Sequence, residues 1–486
     1  MRSFKIIMMA ALALGVVGAA QAELQNVELD GSIRIRGNFY DWDNNIFING
    51  GEDQAWVEHR TRLGAKADFT DDVSLYIEFD AYNTWGDAFR SNFISGLDFA
   101  NGGNNDNVDI YQSYIEVNNA WGLPLRTRIG RQELQLGSEW LIGNNDTAAF
   151  FPGLSFDGIR TTYATDMFSV DLLSFKLSET FNDFADGDVN LYGIYGSYLG
   201  LEDWQFDLYW LWLTEDEAVR NAGAPVTNAT LAALGVPGTL AKDTDIHTIG
   251  LRGAGTFGAF DLEAEVAYQF GEIDRQDPFW FGNNDLDYDA FAFNIEAGYT
   301  FDMAWTPRVY LGGAFFEGAD QDRGFWDFLF GNTNNDLSFN RLFSNWEYSE
   351  FIENTELSNA WVLRAGISAM PTEKISLLLA ASYFETDESN DAGGFLWWRN
   401  PQDDTLGWEI GLYGDYQYSE DLVFRAGYAH FFGDEDGLNG FNNSALNGFA
   451  ALVHNTGRRG GFLGLFGNRK DDADYNYLFW EAELSF

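Results

Sequence analysis

The sequence predicts an all-β protein, a transmembrane antiparallel β-barrel of the outer-membrane type with about 18 strands, 16 being the alternative count. Three observations predict it. Apolar and polar residues alternate with period two in segment after segment. Those segments run to about 10–14 residues, whereas soluble strands average roughly 5–6 and a tilted membrane strand needs roughly 9–11. The connections between them are short and long by turns.

Composition narrows the field first. The 486 residues include 75 acidic and 28 basic side chains, a formal net charge of -47, which opposes binding to nucleic acid. The absence of cysteine excludes a disulfide scaffold and thiolate chemistry. With 43 Phe, 22 Tyr and 17 Trp, the chain has ample apolar surface to fold. Residues 1–22 read as an export signal. Arg2 and Lys5 precede the apolar stretch Ile6 to Ala20, and Ala20-Gln21-Ala22 is a small-x-small cleavage site, so the mature chain is expected to start at Glu23. Residues 23–486 then form a single barrel domain, since no Pro-rich linker or low-complexity tract divides them.

Eighteen strands are expected near 27–40, 55–69, 72–85, 107–119, 124–137, 156–164, 167–178, 190–199, 203–214, 243–256, 259–271, 287–303, 306–317, 358–370, 373–387, 404–419, 422–434 and 474–486. In the eleventh, Leu262, Ala264, Val266, Tyr268 and Phe270 share one face, and Asp261, Glu263, Glu265 and Gln269 the other. The twelfth sets Phe291, Phe293, Ile295, Ala297, Tyr299 and Phe301 against Asn294, Glu296, Gly298 and Thr300. In the sixteenth, Leu406, Trp408, Ile410, Leu412, Tyr416 and Tyr418 oppose Glu409, Tyr413, Asp415 and Gln417. The last sets Leu478, Trp480, Ala482, Leu484 and Phe486 against Glu481, Glu483 and Ser485. The apolar faces suit lipid and the polar faces suit a wet lumen. Closure follows because a lipid-exposed sheet edge would leave backbone groups unpaired. Connections after even-numbered strands are short, such as Thr70-Asp71 and Phe257-Gly258. Those after odd-numbered strands are long, such as 86–106, 215–242, 318–357 and 435–473. That pattern places both termini in the periplasm. The Gly- and Asn-rich loop 435–473 is either an inward constriction or cap, or a surface loop.

Arginines recur in pairs two residues apart: Arg34 and Arg36, Arg60 and Arg62, Arg126 and Arg128. That spacing puts both members on one strand face. In strand 55–69 the other face carries Val57, Thr61, Leu63, Ala65 and Ala67, so the arginines look into the lumen. Lys66, Arg160 and Arg252 fit the same side, and Arg131 is placed with them, with Gly130 beside it as a site for a bulge. These residues either line an anion path or order the lumen in ion pairs with Glu58, Glu78, Asp80, Glu263 and Glu265, and the two roles are compatible. Acidic side chains crowd the loops, among them Asp285, Asp287, Asp289, Asp320, Asp322, Asp387, Glu388, Asp391, Asp434, Glu435 and Asp436. Solubility is the simpler reason for them and Ca²⁺ binding the rival one. No catalytic motif surrounds His59, His247, His430 or His454, so neither an enzyme nor a bound cofactor or resident metal is expected.

Residues Ile129-Gly130-Arg131-Gln132-Glu133-Leu134, Gly137 and Phe156-Asp157-Gly158-Ile159-Arg160 resemble the alginate-export family of outer-membrane barrels. His59-Arg60-Thr61-Arg62-Leu63-Gly64 and Trp85-Gly86-Asp87 resemble its early hairpin, so the resemblance spans about residues 55–165. It implies an 18-stranded monomeric barrel in the bacterial outer membrane that secretes an anionic polysaccharide by passive diffusion through an arginine-rich pore. The terminal Phe486 is similar to the signal by which barrels enter the outer-membrane assembly machinery. Glu263, Glu265, Glu296, Glu409, Glu481 and Glu483 put negative charge on the later lumenal strands. The rival functions are a general or solute-specific porin for uptake, and a structural or adhesive barrel with cation-binding loops.

Overall fold

The computed structural model describes residues 24–42, 54–85, 91–92, 97–98, 108–144, 146, 151–182, 185–215, 240–276, 286–319, 336–351, 357–388, 404–434 and 474–486. The export segment 1–22 and loop 435–473 lie outside these residues. Eighteen strands form the wall: β1 Asn26–Trp42, β2 Gln54–Thr70, β3 Val73–Thr84, β4 Asp109–Val117, β5 Leu125–Gln132, β6 Phe156–Ala164, β7 Phe168–Asn182, β8 Ala185–Leu201 and β9 Trp204–Glu215 make one half. The other half is β10 Leu240–Phe257, β11 Phe260–Gln276, β12 Leu286–Thr300, β13 Arg308–Phe316, β14 Ala360–Thr372, β15 Ile375–Thr386, β16 Thr405–Gln417, β17 Leu422–Gly433 and β18 Tyr475–Ser485. Each pairs antiparallel with the next, and β1 pairs with β18 from Ser32↔Ser485 to Trp42↔Tyr475, so the sheet is a closed 18-stranded barrel. Asp336–Leu337 adds a short parallel pairing on the start of β12.

Period two explains the two faces. Leu29, Leu63, Ile115, Leu208, Leu251, Leu311, Leu363 and Leu412 point outward and are exposed, as an apolar belt for lipid requires, while Glu265, Gln269, Asn294, Glu409 and Glu481 point inward and are buried. Aromatic side chains gather at the rim near the short turns, with Phe257, Phe260, Phe301, Trp305 and Tyr418 all exposed. The turns themselves are tight. Asp71 and Asp72 join β2 to β3, and Gly258 at φ 63 turns β10 into β11, a left-handed backbone that favours glycine.

Several boundaries differ from the expectation, β11 for example running to Gln276 rather than 271. The β7–β8 hairpin reaches Asn182 and Ala185 rather than stopping near 178 and 190, and β12 ends at Thr300 rather than 303. Strand β5 ends at Gln132 rather than 137, because the chain there turns into the lumen. Leu406, expected on the lipid face of β16, is fully buried inside. The register slips between Phe384/Gly407 and Glu385/Thr405, with Gly407 at φ 134, so a bulge re-aims Leu406 by one face.

Candidate functional site

Two segments leave the wall and meet inside it. Residues 133–144 follow β5, and residues 338–351 lie between β13 and β14. They join through the parallel bridge Ile142↔Phe343 and through backbone bonds from Gly143 N to Phe343 O (2.9 Å), Phe343 N to Leu141 O (2.9 Å) and Asn345 N to Glu139 O (3.0 Å). Side chains reinforce the seam: the Trp140 indole donates to Tyr348 Oη (3.0 Å), and the Trp346 indole to Ser138 O (2.6 Å). Trp140 is fully buried between Phe316 and Phe339. The inward residues Phe175, Leu191, Leu211, Ala267, Ala292 and Ala314 of β7–β13 belong to the same buried cluster. That half of the wall is therefore dry and apolar where the segments cover it, not uniformly wet as the strand pattern suggested.

The segments are tied to the wall at polar points. Gln269 of β11 brackets Asn340, donating to its carbonyl (2.6 Å) and accepting from its N–H (2.6 Å). Glu409 of β16 accepts from Ser349 Oγ (2.7 Å) and Glu350 N (3.0 Å). Burial, with the like charges of Glu347 and Glu409 close by, holds the Glu350 carboxyl above the ordinary glutamate range. Phe351 then packs among Tyr40, Phe431, Tyr475 and Tyr477.

The arginine ladder holds Asp146, which lies between β5 and β6 beyond the first segment. Arg34 and Arg60 stand directly opposite each other on β1 and β2, both buried and facing inward. The carboxylate of Asp146 lies between them. It pairs with Arg34 Nη1 (3.5 Å), with Arg60 Nη1, and with Arg62 Nη1 (2.7 Å). Each guanidinium also has a second holder. Arg34 Nε donates to Glu481 (2.9 Å), Arg60 Nη1 to Phe151 O (3.0 Å), and Arg62 to Asp80 (3.0 Å) and Pro152 O (2.8 Å). Arg62 lies 3.5 Å over the Tyr111 ring and Arg36 4.0 Å over Phe479, and Arg36 also donates to Tyr477 Oη (2.8 Å).

The remaining lumenal arginines sit in ion pairs on the wall. Arg128 pairs with Glu116 (2.5 Å), Arg160 bidentately with Asp171 (3.0 and 2.7 Å), and Arg252 with Asp207 (2.8 Å) and Glu263 (2.9 Å). Lys66 pairs with Asp68 (3.4 Å). Arg126 has the inward parity of β5, is exposed near the periplasmic rim, and has no carboxylate partner among the described residues. Arg131 corrects the expectation. It shares the outward parity of Ile129, is 43% exposed, and pairs with Asp157 on the outer face of β6 (2.7 Å), so it does not line the lumen. Spacing settles this: Arg131 is an odd number of residues from Arg126 and Arg128, and the backbone at Gly130 (φ 132) keeps the alternation instead of reversing it.

Sequence reasoning missed Arg308, Arg364, Arg425 and both inward segments. Arg308 pairs with Glu296 (2.9 Å) and Asp261, and Arg425 with Glu481 (2.7 Å) and Glu483 (2.6 Å). Arg364 lies 5.4 Å from the Tyr348 ring centroid and 5.9 Å from that of Trp346, beneath the second segment. A signal for the first segment existed. Leu134 and Leu136 continue the lumenal parity of Arg126 and Arg128, yet are apolar, which a wet lumen would not favour.

A closed barrel with an apolar belt, short periplasmic turns and a polar constriction is an outer-membrane channel. The sequence profile described as alginate export matches residues 25–435, and the chain belongs to the alginate-export family. The match extends the likeness well beyond the early strands. Among solved structures the chain is similar to outer-membrane porins of Pseudomonas aeruginosa. OpdL shares 9% identity over 95% of this chain and 99% of its own, with a TM-score of 0.53. OccK11 (OpdR) shares 10% over 95% and 96%, with a TM-score of 0.51. OccK9 (OpdG) shares 12% over 95% and 99%, with a TM-score of 0.51. At such identities the likeness is one of fold. No curated protein matches the sequence significantly.

Proposed function

We propose that the barrel carries an anionic polysaccharide outward by facilitated diffusion, without a cofactor and without chemistry, as a monomer. Family membership supports the direction and the solute class. The observation that carries the anionic part is the convergence of Arg34, Arg60 and Arg62 on one carboxylate in the constriction. Three guanidiniums around a carboxylate form the charge-assisted, geometrically selective contact that a uronate chain would need. In this reading Arg34, Arg36, Arg60 and Arg62 face the solute path, while Arg128, Arg160 and Arg252 order the wall below it. Arg126 receives anions at the periplasmic mouth. Phe486, whose N–H bonds Gly31 O (3.0 Å) at the barrel seam, serves assembly into the membrane.

Reversal potentials of the refolded mature chain under a salt gradient in a planar bilayer test this reading. Anion selectivity, lowered in the R60Q/R62Q double variant, is the expected result. A second reading has its own observation. Glu409, Glu481 and Glu483 face the same lumen, and every ladder arginine already has an acidic partner. Cation selectivity that persists in the double variant would favour a porin for small solutes.

A further inference from the structure

We infer that the inner wall at β1–β2 is a carboxylate-binding site whose present occupant, Asp146, is the chain's own stand-in for the carboxylate of a passing solute. The inference rests on the anion route proposed above and adds how that route is held shut. Of the other acids of the cluster, Asp80 and Glu481 belong to strands and are fixed in the wall, and Glu133, 3.7 Å from Arg62 Nη1, directly follows β5. Asp146 lies outside the strands, between β5 and β6, and it bridges three guanidiniums. The exposures point the same way. The side chains of Arg34, Arg60 and Arg62 are 3–6% exposed, whereas that of Asp146 is 23% exposed. The cations therefore lie behind and the carboxylate in front, so a solute carboxylate approaching from the lumen reaches the same place.

The site would survive the departure of Asp146. Arg34 stays oriented by Glu481, Arg60 by the Phe151 carbonyl, and Arg62 by Asp80 and the Pro152 carbonyl. What would remain is two guanidiniums in direct cross-strand register, Arg34 and Arg60, whose repulsion favours refilling with an anion over standing empty. Exchange of one carboxylate for another is thus the low-cost event. A tethered carboxylate competes at high effective concentration, so occupancy by Asp146 weakens apparent solute binding in proportion to the fraction of time the site is free.

The experiment compares wild type, D146N and D146A in planar bilayers, with trigalacturonate as the anionic probe and maltotriose as the neutral one. Asn keeps the volume and hydrogen-bonding positions of Asp, and heat-modifiable gel migration confirms that each barrel is folded. The expected result is that both variants are half-blocked at a trigalacturonate concentration roughly tenfold or more below that of wild type. Maltotriose should remain without effect, and adding R60Q to D146A should reverse the gain. Block of D146A but not of wild type gives the same support. Equal half-blocking concentrations in all three chains would overturn the inference, while anion selectivity of wild type would leave the functional reading standing. Absence of block in every chain, with cation selectivity, would remove both.

Discussion

Arg34 and Arg60 face each other across a β ladder, an arrangement that like-charge repulsion alone would penalise. It is stable here because Asp146 supplies a shared counter-charge and Glu481 a second one on the far side. The same logic recurs at Arg128↔Arg160, where Glu116 and Asp171 draw the two guanidiniums apart. A single residue of offset separates these groups from Arg131, and it decides which side of the membrane wall an arginine serves. Arg131→Gln should accordingly leave the reversal potential of the channel unchanged, whereas a comparable shift to that of R60Q/R62Q would place Arg131 in the conducting path after all. At this scale the lumenal side of Arg34, Arg36, Arg60, Arg62, Arg128, Arg160 and Arg252 was legible from period two alone. Two of their partners were legible as well, Asp80 for Arg62 and Glu263 for Arg252, but Asp146, Glu481 and Asp207 were not, because they reach the arginines across distant stretches of chain.

At the scale of elements, the two inward segments act as one body. Trp140 is its centre, fully buried and hydrogen-bonded across the seam. Trp140→Ala should remove about 3–5 kcal/mol from the seating of the segments, the usual cost of truncating a large buried aromatic. Because the wall's own ladder is untouched, higher single-channel conductance with unchanged β-sheet circular dichroism is the expected pair of results. The seat on β16 should respond to pH. Burial, with Glu347 and Glu409 nearby, raises the Glu350 carboxyl, so the seated segment favours its protonated form. That contribution is complete below the free glutamate value of about 4.3 and is lost as pH rises through the raised one. Conductance substates should therefore be more frequent near about pH 8 than near about pH 5. Glu350→Gln, locked neutral, should flatten the difference, and a pH response that persists in it would assign the effect elsewhere. The strands themselves were readable because each repeats one simple rule. The segments were not, since Trp140 finds its hydrogen-bond partner, Tyr348, 208 residues further along the chain.

For the whole molecule, closure is the governing constraint. β1 and β18 meet along eleven residue pairs, from Ser32↔Ser485 to Trp42↔Tyr475, and Phe486 completes the seam by bonding Gly31 in both directions (3.0 and 3.1 Å). Phe486 is 61% exposed, so its ring adds little to the packing of the finished barrel. Deleting Phe486 should slow assembly in cells while leaving refolding into detergent micelles close to wild type. Equal losses in both settings would make its role one of barrel stability, not of recognition during assembly. The formal charge of -47 fits this architecture as well, since the outward strand faces are largely apolar, the Arg131–Asp157 pair being an exception, and most acidic side chains are left to the lumen, the turns and the loops.

The sequence by itself determined the class of fold, the order of the strands, a count of 18 with 16 as the alternative, the side that most strand residues serve, and the family. All of these follow from local alternation, strand length and short motifs, which physics reads one neighbourhood at a time. Tertiary structure alone decided how the lumen is filled. The bulge at Gly407 that turns Leu406 inward, the joining of 133–144 to 338–351, and the convergence of three arginines on Asp146 all depend on contacts between residues far apart in the chain. Period two states which side chains enter the barrel, but which of them meet is set by closure of the whole wall.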